Sequence, residues 1–363
     1  MDISELYMLR CLTLAAHGRG SVAPNPMVGA VIAVEGFIIG EGFHRCFGEA
    51  HAEVNAITSV KDEALLRRST LYVNLEPCSH YGKTPSCAEL IIRKAIPRVV
   101  VAGLDPNPKV AGRGIKMLRE AGIEVKTGVN EREAGALNRF FMAAHLRKRP
   151  YIILKWAQSE DGFIDGKRKD ASEKPFIFST FVTRMMAHQL RSEVQAIMVG
   201  TNTAVLDNPE LTVRNWKGQS PIRLLLDRDL RIPHSYRLLD GKQQTFVFTK
   251  KTKTNLKDTE NIRYFVLDDP DFRLSEIMTV LYENDIHSLL VEGGAQLHRS
   301  FLEENLWDEI IIEKVPVQLK EGVKSALFPV CKSLRLADKQ YVYSNISSNE
   351  KPSLIERYFN YTF

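Results

Sequence analysis

Cysteine is scarce in this chain: five in 363 residues, an odd number at low density. That makes a disulfide framework of the secreted kind improbable and leaves the thiols available as metal ligands or nucleophiles. No apolar run approaches the roughly 20 residues that a membrane helix needs. The opening MDISELYMLRCLTLAAHG interrupts its apolar positions with acidic residues and an arginine, unlike a secretory signal. Blocks of like charge are missing too: 49 basic and 44 acidic residues leave only +5, so neither a nucleic-acid tail nor an acidic solvating tail is indicated. Low-complexity tracts, repeats of solenoid length and a G-x-G-x-x-G fingerprint are likewise absent from the sequence. A cytoplasmic protein is expected, with no nucleic-acid or membrane partner and with a charge balance suited to a small anionic substrate. Its length suffices for two domains, each with its own core.

Strand and helix patterns alternate along the chain. A helical start at roughly 3 to 17 is followed by paired apolar strands around Glu35-Gly36, a helix carrying HAEVNAITSV, strand TLYVNLE, helix CAELIIRKA, strand RVVVAGL, helix GIKMLREAG and strand IEVKTG. This rhythm predicts a mixed or parallel sheet with helices on its faces, an α/β domain over 1–147. The segment AAHLRKRPYIILKWA passes through a basic cluster and a proline into a new apolar run, which puts a boundary near Arg149 and a second domain over 150–363. There the rhythm resumes: YIILKWA, a helix over roughly 180 to 193, AIMVG, PIRLLLD, TFVFT, a helix near 273 to 283, SLLVEGG, a helix from Ala295, and DEIIIEKV. The polar tail beyond about 335 is expected to add closing strands.

Chemistry concentrates in the first domain. A catalytic zinc takes three protein ligands and keeps a fourth position for water, and His51, Cys78 and Cys87 supply such a set. Pro77-Cys78 follows a strand end, and Ser86-Cys87-Ala88-Glu89 reads as a capping box that puts Cys87 in the first turn of a helix, where the dipole favours a thiolate. Glu53, two residues after His51, suits a proton shuttle better than a ligand. Each residue alone reads as readily as a core histidine or a small buried hydrophobe. The order H-x-E, P-C, C, however, is that of zinc deaminases, in which a zinc-activated water attacks an amidine-like ring carbon. Eight residues separate the cysteines here instead of the usual two. A closed structural zinc would want a fourth ligand, and only three are evident; Cys11, Cys46 and Cys331 have no such setting and read as structural.

VAPNPMVGAVI, GFHRCFGEAHAEVNAI and LEPCSHYGKTPSC, in that order and spacing, resemble the family of bifunctional riboflavin-biosynthesis proteins, in which a pyrimidine deaminase is fused to a reductase. The long cysteine interval matches that family's C-S-H-x-G-K/R-T-P-x-C loop. KWAQSEDGFI, TNTAVLDNPELTVR, PIRLLLD and LLVEGGAQLHRSFL resemble its reductase half, so the likeness spans nearly the whole chain. It implies a cytidine-deaminase-like three-layer domain followed by a dihydrofolate-reductase-like α/β domain, with zinc at His51, Cys78 and Cys87 and Glu53 as catalytic proton carrier. It further implies that Asn25, His44, His80 and Lys83 contact the deaminase substrate: an amide reads a pyrimidine edge in both directions, and an ammonium meets a phosphate. For Asn25, and for Asp105 and Asn107 in GLDPNP, a turn role is the alternative.

In VEGGAQLHRSFL a strand, two glycines and a helix follow one another, so the backbone can approach an anion at a helix start; a tight turn explains the pattern as well. The resemblance implies NADPH there, with Gln158, Thr203, Asp207 and Gly294 at the cofactor, and Lys155, Arg191, Leu211, Arg214 and Glu292 at the reductase substrate. Snorkelling lysines and surface arginines are the plain alternative. One stretch departs: SEKPFIFST carries Pro175 and Ile177 where many relatives have polar and aromatic residues contacting substrate and cofactor. The implied activity is removal of the exocyclic amine of 2,5-diamino-6-ribosylamino-4(3H)-pyrimidinone 5′-phosphate, then reduction of the ribosyl chain to ribityl, in a homo-oligomer. A deaminase of nucleosides or RNA would want a basic groove with stacking aromatics, and the loop from Cys78 to Cys87 holds one tyrosine and one lysine. A zinc-stabilised scaffold would have no use for Glu53.

Overall fold

The computed structural model describes residues 2–79, 85–107, 111–250, 257–268 and 271–328, and the backbone of two further strands at 333–337 and 340–344. Contacts divide the chain between Arg147 and Lys148 into two compact units.

The first unit contains α1 (Ile3–Ala16), β1 (Gly29–Val34), β2 (Phe37–Phe43), α2 (Ala52–Ser59), β3 (Thr70–Leu75), α3 (Cys87–Arg93), β4 (Arg98–Gly103), α4 (Arg113–Glu120), β5 (Glu124–Thr127), α5 (Glu131–Leu137) and α6 (Arg139–Arg147). The strands order as β2-β1-β3-β4-β5, antiparallel from β2 to β3 and parallel from β3 to β5. Successive strand residues point to opposite faces. Ala30, Ile32, Leu71, Val73, Val99 and Val101 therefore pack on Ala56 of α2, Ile91 of α3 and Leu118 of α4. Val31, Ala33, Tyr72, Val100 and Ala102 pack on Met8, Cys11 and Leu12 of α1 and Leu137 of α5. The mixed sheet expected from the sequence is thus the middle of three layers. Cys11 is fully buried with its thiol on the Tyr72 carbonyl, and burial drives its pKa upward, as befits a structural cysteine.

The second unit holds β6 (Tyr151–Ser159), β7 (Phe163–Asp165), α7 (Phe181–Glu193), β8 (Ala196–Gly200), α8 (Thr201–Asp207), β9 (Ile222–Leu226), β10 (Thr245–Thr249), β11 (Ile262–Val266), α9 (Leu274–Glu283), β12 (Ser288–Val291), α10 (Ala295–Glu303), β13 (Glu309–Val315), β14 (Val323–Lys324), β15 (Ser333–Ala337) and β16 (Gln340–Ser344). Nine of these strands form one sheet, β11-β10-β9-β8-β12-β6-β13-β16-β15, parallel up to β13 and antiparallel beyond it. Parallel strands covered by helices read as continuous apolar runs, which is why stretches such as YIILKWA and PIRLLLD were legible. Leu154, Met198, Leu224 and Phe248 meet Ile277 and Leu281 of α9 and Phe301 of α10 in its core. Arg149 belongs to this unit: its guanidinium pairs with the buried Asp308 at 2.6 Å, and the same carboxylate accepts the Ile152 amide where β6 begins. The short ribbon β7–β14, helix α8 and strand β11 are additions to the elements expected from the sequence. No helix among the described residues is long and apolar enough to cross a membrane.

Candidate active sites

The first site forms where β3 ends and two helices begin. His51 is the N-cap of α2, with extended backbone and no side-chain cap, so its ring is free to face the sheet end. Cys87 is the first residue of α3; the preceding Ser86 accepts the Glu89 amide, one half of the expected capping box. Cys78 follows β3 by three residues. The donor atoms of His51, Cys78 and Cys87 lie within 4.8 Å of one another, with His51 Nδ1 at 3.6 Å from the Cys78 sulfur and 3.4 Å from the Cys87 sulfur. Two thiols and an imidazole at this spacing are a zinc donor set with one position open, so these residues fit the metal. The Cys87 amide donates to the Cys78 sulfur at 3.3 Å. Hydrogen bonding from Cys87 and then from His51 holds the Cys78 thiol down to about 4 against burial, while the hydrogen bond with Cys78 and burial push Cys87 up. His51, bonded to Cys78, is raised to about 9. Glu53 is 3% exposed, and burial, reinforced by the charge of Cys78, raises its carboxyl to about 7.

His44 sits edge-on to His51, ring centroids 5.6 Å apart. Asn25 Nδ2 donates to His44 Nε2 at 3.2 Å, and His44 Nδ1 donates to the Ala50 carbonyl at 3.1 Å, so the ring is neutral, as its burial also favours. Asn25 and His44 are thus brought to the same site. His80 and Lys83 lie outside the described residues. Sequence reasoning missed Glu76: its buried carboxylate accepts the amides of Asp105, Gly112, Gly114 and Ile115, capping α4 from the end of β3. A Cβ on Gly114 would lie 2.0 Å from the Pro77 carbonyl oxygen, so α4 braces the Pro77-Cys78 turn directly. Its only sequence signal was an acid beside Pro77-Cys78 at a strand end.

In the second unit β12 runs into α10 through Glu292, Gly293 and Gly294. A Cβ on Gly293 would strike Val199 at 2.7 Å, and Gly294 has φ +66 with Thr203 Oγ1 at 3.0 Å from where a Cβ would be. Only glycine suits both constraints, and this turn without side chains at a helix start, with the Thr203 hydroxyl beside Gly294, fits the close approach of a dinucleotide. Glu292 pairs with Arg191 through two bonds, 3.0 and 2.6 Å. Burial alone would raise this carboxyl; Arg191, with help from Lys155 and His188, holds it down at about 2. Leu211 is 3% exposed with φ +55, a left-handed turn that costs about 1 kcal/mol and directs the Thr212 carbonyl to Arg191 and the Arg214 amide to His188. The Arg214 side chain is half exposed and pairs with Glu210.

Gln158 accepts from the Trp156 indole at 2.7 Å. Asp207, one helical turn beyond Thr203 on α8, accepts Arg168 at 2.7 Å, and Arg168 also donates to Asp165 at 2.7 Å. His188 and Arg168 are the residues sequence reasoning missed here. His188 lies three before Arg191 on α7, a spacing that puts both on one face; Arg168, in an irregular stretch, gave no comparable signal.

Residues 1–103 match the family model of the cytidine and deoxycytidylate deaminase zinc-binding region, and residues 150–333 match that of the RibD C-terminal domain. The chain is 42% identical over 324 residues to riboflavin biosynthesis protein RibD of Aquifex aeolicus, covering 89% of each. It is 35% identical to that of Escherichia coli, over 86% of this chain and 87% of the relative. A solved diaminohydroxyphosphoribosylaminopyrimidine deaminase/5-amino-6-(5-phosphoribosylamino)uracil reductase from Thermotoga maritima superposes with TM-score 0.83 at 35% identity, covering 94% of this chain and 97% of that one. Acinetobacter baumannii RibD gives TM-score 0.83 at 32% identity, with 94% and 98% covered. The two units therefore define a class, an enzyme that joins a zinc-type deaminase to a reductase in one polypeptide. Within that class the chain belongs to the RibD family of bifunctional riboflavin-biosynthesis proteins.

Proposed function

We propose that the first unit hydrolyses the exocyclic amine of 2,5-diamino-6-ribosylamino-4(3H)-pyrimidinone 5′-phosphate, releasing ammonia, and that the second uses NADPH to reduce the ribosyl chain of the product, in its open carbonyl form, to ribityl. The observation that carries the reading is the convergence of His51, Cys78 and Cys87 within 4.8 Å, with buried Glu53 in the adjoining helical turn. Zinc held by these three residues would supply a Lewis acid and an activated water. Glu53 takes one proton from the attacking water and delivers it to the ring nitrogen, then takes the second from the resulting hydroxyl and delivers it to the amine, which leaves as ammonia; burial raises its carboxyl to about 7, so near neutrality it can both accept and return a proton. Neutral His44, oriented by Asn25 and the Ala50 carbonyl, contacts the pyrimidine, and His80 and Lys83, between the two cysteines in sequence, are its proposed partners in that role.

In the second unit Gly294, Thr203, Asp207 and Gln158 would hold NADPH, which would supply a hydride to the sugar carbonyl carbon, and a side chain of this chain gives a proton to the carbonyl oxygen. Asp207 is engaged by the Arg168 guanidinium, whereas Lys155 lies in the field of Glu292 at the substrate end, so Lys155 is our choice of proton source. Arg191, Glu292, Leu211 and Arg214 shape the substrate end. With the diamino substrate alone, the protein should release ammonia; with NADPH added, it should oxidise NADPH in step. Ammonia release without NADPH oxidation would remove the reductase half of this reading, and no ammonia release from zinc-loaded protein would remove the deaminase half.

A further inference from the structure

Arg168 lies in the stretch DGFIDGKRKD and is pinned at two corners: Nε donates to Asp165 Oδ2 and Nη2 to Asp207 Oδ1, each at 2.7 Å. Its side chain is only 8% exposed, yet the third nitrogen, Nη1, is buried and has no hydrogen-bond partner among the described residues. A buried donor of a charged group left unsatisfied costs free energy that a ligand acceptor would recover. Asp207 uses one carboxylate oxygen for Arg168, and Thr203, four residues earlier on α8, presents its hydroxyl next to Gly294. Arg168, Asp207 and Thr203 thus link the ribbon strand β7 to the glycine turn.

The charge balance selects what can enter. Two carboxylates flank one guanidinium, and the neighbouring Lys167 ammonium is taken up by Glu321, so the local field is net negative and repels a phosphate dianion. A sugar hydroxyl is neutral, and it both accepts and donates. We infer that Arg168 is a further ligand-binding residue of the reductase site: Nη1 donates to one hydroxyl oxygen of a ribose-type vicinal diol, and Asp207 accepts from the other. The inference rests on the proposed reductase reading. It also gives a place to the divergent wall. Asp165, which fixes the Arg168 head, accepts the Phe176 amide at 2.9 Å through its other oxygen, so the stretch around Pro175 and Ile177 contributes a backbone amide that steadies Arg168.

Both the cofactor and the sugar-phosphate substrate carry such a diol, and Arg168→Gln separates the two sources. Titration of the full chain with NADPH and with NADH, followed by protein fluorescence, and the KM for the deaminated ribosylamino-uracil phosphate are the readouts. Removing one charged hydrogen bond to a ligand should weaken binding by about tenfold or more. Equal loss of NADPH and NADH affinity puts the diol on the cofactor; unchanged cofactor affinity with KM raised by that factor puts it on the substrate; either supports the inference. Loss confined to NADPH would mean a 2′-phosphate contact and overturn it, as would no change in all three quantities. Should Arg168→Gln not fold, Arg168→Lys, which keeps a cation between Asp165 and Asp207 but lacks the fork, is read in the same way. Failure of the unmutated chain to bind either cofactor would instead remove the reductase reading, and this inference with it.

Discussion

At the scale of single residues the first site depends on three donors set on three different backbone features: a helix N-cap, a post-strand turn and a helix first turn. Cys87 is the most constrained of them, buried at the start of α3 with its amide on the Cys78 sulfur. Cys87→Ser substitutes a hard oxygen for a thiolate, and elemental analysis should show zinc falling from about one per chain to a small fraction of that; undiminished zinc would disprove the donor set. The convergence of His51, Cys78 and Cys87 was legible because metal chemistry demands those side chains at short, ordered intervals. Glu76, His188 and Arg168 were not, because each acts through partners far along the chain: Glu76 on the Gly112–Ile115 amides, His188 on the Arg214 amide, Arg168 on Asp207.

At the scale of elements, α10 is seated on β12 by a buried polar contact. His298, 1% exposed, donates from Nε2 to the Val291 carbonyl at 3.1 Å and lies against the Trp156 ring, centroids 5.0 Å apart. Burial lowers its pKa from 6.5 to about 4. The unfolded chain therefore binds a proton that the folded chain refuses between those values, so stability contributed by neutral His298 is full above pH 6.5 and declines as pH falls toward 4, by about 3 kcal/mol in all. His298→Gln keeps an amide donor for Val291 but does not titrate. Thermal melting from pH 7 to 4.5 should show a shallower acid loss in that variant, and parallel curves would contradict this seating. The core strands of both units were legible from apolar runs, and helix α7 from its period. The ribbon β7–β14 and helix α8 were not, because they are short and their residues serve contacts with the glycine turn and Asp165 more than a core face.

At the scale of the whole molecule, two α/β units each carry a separate set of candidate site residues, and the proposed zinc and hydride chemistries share no residue. A basic cluster and Pro150 precede the apolar strand β6; what the sequence hid is that Arg149 pairs with Asp308 of the second unit. Glu53→Gln tests the separation most directly. It preserves size, removes the proton carrier, and should lower ammonia release by about 10² to 10⁴ while zinc content, measured independently, stays near one per chain. Given the already deaminated ribosylamino-uracil phosphate, the same variant should oxidise NADPH at nearly the unmutated rate. Loss of both activities in a folded, zinc-loaded Glu53→Gln protein would contradict the two-site arrangement and point to one shared active site.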